Sequence, residues 1–201
     1  LKTARRSMNL LTIEWANRGI NMWTIDEGFI NLVQGTATYD LPAATIDLIE
    51  QVIRTNAGSA TLQSDLNLSR ISVSTYSSVP NKLTQGRPIQ VWVDRLRDNP
   101  TVTLWPVPDQ GTALAPYYVL RYWRLRRIQD AGAGVETPDM NFRFFPALVA
   151  GLAYYIATKI PELMPRIEML KGQYDEQYAL AAGEDREKAS ISLIPRIYGM
   201  G

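Results

Sequence analysis

The chain has no cysteine and no histidine, so the side chains that could do chemistry are carboxylates, hydroxyls and arginines. That composition removes disulfides, thiolate nucleophiles, Cys/His zinc sites and any Ser-His-Asp triad. Three acidic groups stand out: Asp26-Glu27, Glu136 with Asp139, and Glu184-Asp185-Glu187. Paired carboxylates facing each other across roughly 5–9 Å cleave glycosidic bonds, and clustered ones hold hard cations. Neighbouring acids on exposed turns do not supply that geometry, and such acids are ordinarily solvated. The sequence carries no Walker A pattern, no dinucleotide-binding glycine fingerprint and no nucleophile elbow. No catalytic residue, metal ligand or cofactor is therefore expected.

The second constellation is basic. Arg121, Arg124, Arg126 and Arg127 alternate with Tyr122 and Trp123. Arginines bind phosphate and aromatic rings stack on bases, so one reading is a nucleic-acid surface. The other reading, which is favoured, is an edge strand whose charges block aggregation and pair with acids. Net charge is only +1, yet it is unevenly spread: Lys82 to Arg127 holds eight basic and three acidic residues, and Ile160 to Glu187 three basic and seven acidic. Two accounts of this split stand side by side. Either copies of the chain meet basic face to acidic face, Arg121, Arg124, Arg126 and Arg127 opposing Glu168, Asp175 and Glu176, or the two segments are unrelated solvated faces.

The elements that must carry these residues follow from periodicity. Leu1, Ala4, Met8, Leu11 and Trp15 recur at helical spacing, with Gly19 placed to close the helix, and Ile20 to Ile25 packs beside its end. Phe29 to Val33 and Thr36 to Leu41 read as a hairpin about Gly35. Ile46 to Thr55 fits helix by spacing and strand by its β-branched content; strand is preferred, since strands surround it. Leu62 to Val73, Ile89 to Arg95, Thr101 to Trp105 and Tyr117 to Arg127 are further strands. In the last of these, Tyr118, Leu120 and Tyr122 share one face, and Val119, Arg121 and Trp123 the other. A flexible Asp130 to Gly134 connector leads to two helices. Phe142 to Lys159 carries Leu148, Leu152 and Tyr155, with small residues that let a neighbouring helix approach closely. The second helix opens near Pro165 and carries a stripe of Ile167, Leu170, Tyr174, Tyr178 and Ala181.

The fold class expected is α+β. A helical bundle of one N-terminal and two C-terminal helices (1–27 and 136–188) takes an inserted antiparallel β-rich subdomain (28–135). An extended C-terminal arm (189–201) follows. In the arm, Ile191, Leu193, Ile194, Ile197 and Tyr198 sit among Pro195, Gly199 and Gly201. An apolar terminus costs solubility unless something covers it, either its own domain or another chain. No stretch reaches the roughly 18 apolar residues of a membrane span. The chain opens Leu1-Lys2-Thr3 without a Met, as expected if upstream residues have been removed.

Several runs together resemble a known family: Ala4 to Leu11, Trp15 to Trp23, Gly86-Arg87-Pro88, Leu104 to Pro108 and Phe144 to Tyr155. They look like the head-to-tail adaptor proteins of short-tailed bacteriophages, also called tail tubular protein A. The resemblance covers most of the chain in order, and its weight lies in the combination. Members of that family usually carry a further helix before the first run. The resemblance implies a virion protein made in the host cytoplasm, with no membrane partner and no enzymatic activity. It also implies a ring of about twelve copies beneath the portal. The ring would extend the DNA channel, touch passing double-stranded DNA without reading its sequence, and seat the tail nozzle protein. The arm, through Ile191, Leu193, Ile194, Ile197 and Tyr198, would reach the portal protein. The competing classes are a carboxylate-only cell-wall hydrolase and a nucleic-acid-binding protein using Arg121 to Arg127.

Overall fold

A computed structural model of the chain describes residues 2–19, 24–128 and 139–184. The chain divides into two compact units, one formed by Leu1–Met22 with Ala133–Gly201 and the other by Trp23–Gly132. The architecture is α+β, with helices in the first unit and two sheets in the second. Among the described residues no helix is long and apolar enough to cross a membrane.

The helical unit contains α1 (Lys2–Asn17), a short 3-10 turn (Phe142–Phe144) leading into α3 (Phe145–Ala157), and a second 3-10 segment (Pro161–Arg166) leading into α4 (Ile167–Glu184); α2 (Val73–Ser77) belongs to the other unit. In α1, Ser7, Leu11, Thr12 and Trp15 are buried, one stripe of a helix with a 3.6-residue repeat. Gly19 adopts φ +83° just beyond the helix end, a conformation that costs glycine nothing. Pro146 sits in the first turn of α3, where its missing N–H is no loss. The small residues of α3 are the packed ones. A Cβ on Gly151 would lie 2.9 Å from both Leu11 Cδ1 and Tyr174 Cε2, so a bare hydrogen lets all three helices meet at that point. On α4 the buried stripe centres on Tyr174 and Ala181, with Ile167, Leu170 and Tyr178 half-buried beside them. The sequence places the start of this helix near Pro165. Pro165 instead lies inside the preceding 3-10 segment and α4 opens at Ile167.

The second unit has two four-stranded sheets. The strands are β1 (Ile25–Asn31), β2 (Thr38–Asp40), β3 (Thr45–Thr55), β4 (Ser64–Asn67), β5 (Ser69–Arg70), β6 (Gln90–Asp94), β7 (Thr101–Trp105) and β8 (Tyr118–Arg126). One sheet runs β1-β8-β3-β4 and the other β2-β7-β6-β5. All pairs are antiparallel except the two-residue β5–β6 pair. The inner faces bury Leu48, Ile53, Leu120 and Tyr122 from one sheet and Val91, Val93, Val102 and Leu104 from the other. Alternate residues point inward because the side-chain period of a strand is two.

Three sequence expectations need correction. The hairpin about Gly35 does not form: β1 pairs with β8, and β2 with β7 in the other sheet. After β1 the backbone stays bound to the β8 side and to the loop before it, through Leu32 N–H to Tyr118 O, Gln34 N–H to Gly111 O and Gly35 N–H to Pro108 O. The chain then crosses to the second sheet, which lets Leu32 and Leu41 both enter the core. Leu62 to Val73 is not one strand. Buried Leu68 marks a switch between sheets, with β4 on β3 before it and β5 on β6 after it. Ser72 then caps the short α2, its Oγ accepting from Thr75 N–H. Finally, the arginine-rich strand β8 is not an edge strand; β1 and β3 flank it on both sides.

Candidate interaction surfaces

The arginines of β8 are consumed locally. Directly opposite residues on antiparallel strands share a face, so the register Asp26↔Arg124, Glu27↔Trp123 and Phe29↔Arg121 puts Asp26 on the inner side of the sheet and Glu27 on the outer. Arg124 Nη2 lies 3.3 Å and Arg126 Nε 3.1 Å from the same Asp26 Oδ2. Arg124 also donates to Thr45 Oγ1 at 3.0 Å. On the other face Arg121 is ion-paired with Glu27. Arg127 follows the strand and is exposed, with its N–H bound to Ala44 O. The pairing half of the favoured reading therefore holds and its edge half does not.

The same register disposes of the first acid pair. Asp26 and Glu27 lie on a strand, not an exposed turn, and adjacent strand residues point to opposite faces. Each is bound to arginine instead of facing the other. Asp139 is described and engaged in an interaction, whereas Glu136, Asp185 and Glu187 lie outside the described residues. Among the described residues no group of three acids is arranged to hold a metal ion.

Other cations of the basic segment are also held. Arg95 Nη1 lies 3.3 Å from Asp47, which Arg70 binds at 2.6 Å, and Arg97 pairs with Asp98 at 2.9 Å. Lys82 Nζ donates to Ser77 O and Val79 O and sits 5.5 Å from the centre of the Tyr76 ring. That ring in turn stacks on Trp92. Arg54 clamps Asp65 through two bonds of 2.6 Å, and this bidentate contact lowers the Asp65 pKa.

The helical unit contains a polar cluster that sequence periodicity missed. Trp15 Nε1–H donates to Tyr174 Oη at 2.9 Å, and Tyr174 O–H donates to Glu14 Oε1 at 3.2 Å. Tyr155 O–H donates to Glu14 Oε2 at 2.6 Å, and Arg18 completes the carboxylate at 2.5 Å. The Arg18 guanidinium also stands 4.5 Å from the Tyr178 ring centre. Burial, then the Glu14 hydrogen bond, pushes the Tyr155 hydroxyl up to about 12; burial raises that of Tyr174 as well. One carboxylate thus ties α1 to α3 and α4. The available signal was Glu14 and Arg18 four apart beside an otherwise apolar stripe, with tyrosines at 155, 174 and 178 on helices that needed a polar partner.

Glu168, Asp175 and Glu176 lie exposed on α4, turned away from Tyr174 and Ala181, and form no ion pair with any described residue. The expected packing of Ile20 to Trp23 beside α1, the 130–134 connector and the whole apolar arm 189–201, with Ile191, Leu193, Ile194, Ile197 and Tyr198, lie outside the described residues.

A family model described as SU10 adaptor protein matches residues 3–193, nearly the whole chain and both units. No curated protein matches the sequence.

Proposed function

Because the chain belongs to the SU10 adaptor protein family, we propose that it is a structural head-to-tail adaptor of a short-tailed phage. The observation that carries this is the family match across residues 3–193. In this reading about twelve copies form a ring at the portal–tail junction of the virion, the number the family resemblance implies. The ring extends the DNA channel below the portal protein and seats the tail nozzle. The placement of the reactive side chains supports a structural role: Asp26 and Glu27 are engaged by Arg121, Arg124 and Arg126 and point to opposite faces of the sheet.

Passing DNA must not be gripped. Arginines already neutralised by carboxylates offer ion pairs, not free cations, to a phosphate backbone, so their contact with DNA is weak and independent of sequence. Ring contacts use the acidic face of α4, with Glu168, Asp175 and Glu176 meeting a basic surface of the next copy. The arm anchors the ring to the portal. Burying one side chain such as Ile191, Leu193, Ile194, Ile197 or Tyr198 is worth roughly 1.5–3 kcal/mol, and a ring presents many arms at once.

The arm is tested by deleting residues 189–201 and measuring binding to purified portal protein. The expected result is an unchanged melting temperature with portal binding lost. Undiminished affinity of the truncated protein would overturn the anchoring role.

A further inference from the structure

The acidic face of α4 needs a basic counterpart, and the obvious candidate in the sequence, strand β8, has spent Arg121, Arg124 and Arg126 on Asp26 and Glu27. We infer that the counterpart is the outward face of α1 on a second copy of this chain, so that α1 of one subunit packs against α4 of the next. This rests on the ring reading above and specifies its contact surface.

Both surfaces belong to the helical unit and both are turned away from its core. On α1, Lys2, Arg6, Leu10 and Ile13 follow one another at spacings of three and four, opposite the buried Leu11 and Trp15. They line a shallow depression of about 330 Å³ together with Arg5 and Asn9. Leu10 is 46 % and Ile13 49 % exposed, and neither Lys2 nor Arg6 has an ion-pair partner among the described residues. On α4, Met169, Glu176 and Leu180 share one row, and Glu168 and Asp175 the adjacent row with Lys171 between them; Met169 is 55 % and Leu180 63 % exposed. Each helix thus offers two large apolar side chains beside charge, positive on α1 and net negative on α4, where Glu168, Asp175 and Glu176 outnumber Lys171.

This combination selects a protein partner. A phosphate backbone would satisfy Lys2 and Arg6 but leave Leu10 and Ile13 in water, whereas a facing helix with Met169 and Leu180 covers them. Unpaired like charges repel self-docking of either face, α1 on α1 or α4 on α4. What remains is contact between the two different patches, which closes into a ring when each subunit gives α1 to one neighbour and α4 to the other.

The test uses paired charge reversals in the full-length chain. One variant carries Lys2→Glu with Arg6→Glu, the other Asp175→Lys with Glu176→Lys. Assembly is followed by sedimentation velocity, alone and with purified portal protein, and each variant's melting temperature is checked against wild type. Each variant alone places like charges at every contact, so its half-assembly concentration should rise about tenfold or more. Mixed one to one, the two variants should assemble again, because every α1–α4 contact then joins opposite charges. Wild type that assembles while both folded variants assemble equally well overturns the α1–α4 contact and leaves the ring reading standing. Variants that fail alone and are not rescued by mixing also overturn it. Loss of DNA binding by the first variant with normal assembly would assign the α1 face to nucleic acid instead. Wild type that stays monomeric even with portal protein contradicts the ring reading itself, and the contact with it.

Discussion

Glu14 in the helical unit and Asp26 in the β unit are both carboxylates held by arginine, but their surroundings differ. Asp26 is 38 % exposed and takes its partners from the adjacent strand, two guanidinium groups on one oxygen. Glu14 is 24 % exposed and accepts from one arginine and two tyrosine hydroxyls, one of which also accepts from buried Trp15. Removing one guanidinium from Asp26 leaves another in place. Removing the Tyr174 hydroxyl strands the buried Trp15 N–H and takes one donor from Glu14, and a donor left unpaired in this way costs more than the bond it made. In the helical unit one polar cluster ties three helices together; in the β unit a twelve-residue apolar core is joined by ion pairs on both faces of a sheet.

The largest expected effect breaks the helical side of this contrast at its centre. Trp15 is fully buried and touches Phe144 and Tyr178. Trp15→Ala should cost about 3–5 kcal/mol in denaturant unfolding, from lost burial and the cavity left behind. A cost below about 1 kcal/mol would mean that the cluster does not hold the unit together.

Tyr174→Phe keeps the ring and removes one oxygen. It leaves Trp15 Nε1–H without an acceptor and Glu14 with one donor fewer, at a cost of about 1–3 kcal/mol. A Trp15→Phe/Tyr174→Phe double variant should lose less than the sum of the singles, which a double-mutant cycle measures directly.

The third prediction concerns pH. The Tyr155 hydroxyl ionises at about 12 in the fold, against 10.0 for a free tyrosine, because burial and Glu14 disfavour the phenolate. Its stabilising contribution is therefore complete below pH 10 and disappears as pH rises toward 12, when the unfolded chain sheds the proton first. Tyr174 adds to the same limb, and Tyr118 does so in the β unit, where burial and Asp109 also hold it at about 12. Stability monitored by circular dichroism should fall across that window, and Tyr155→Phe should make the fall shallower. The acid limb runs the other way: the Asp65 pKa is depressed by Arg54, so that contribution is present above the unfolded carboxyl range and is lost as pH falls through the folded value.

The smallest effect sharpens the β side. Arg121→Ala, removing a partly exposed ion pair, should cost about 0.2–1 kcal/mol and lose most of that difference in high salt.

The sequence made some of this legible and hid the rest for identifiable reasons. The stripe of α4 and the strands β3, β6, β7 and β8 depend on periodicity and turn residues, which are local. The pairing of β1 with β8 is not local: Arg124 and Asp26 are 98 residues apart, and nothing near either names the other. The failed hairpin has the same origin. Two strand-like runs about Gly35 look self-sufficient until β7 and β8, far downstream, offer each a different sheet. The switch at Leu68 was obscured because a single buried leucine serves either sheet equally well. Periodicity does not reveal the Glu14 cluster, because a polar residue on a helix reads as solvent-facing even where tyrosines of two other helices lie opposite it.

In the function proposed above, the protein works as a closed ring of identical subunits docked on a portal. Cryo-electron microscopy of the full-length chain mixed with purified portal protein tests it most directly. The expected result is a closed ring at one end of the portal, with α1 of each subunit against α4 of its neighbour. Portal particles carrying isolated subunits, or no added density at all, would contradict it.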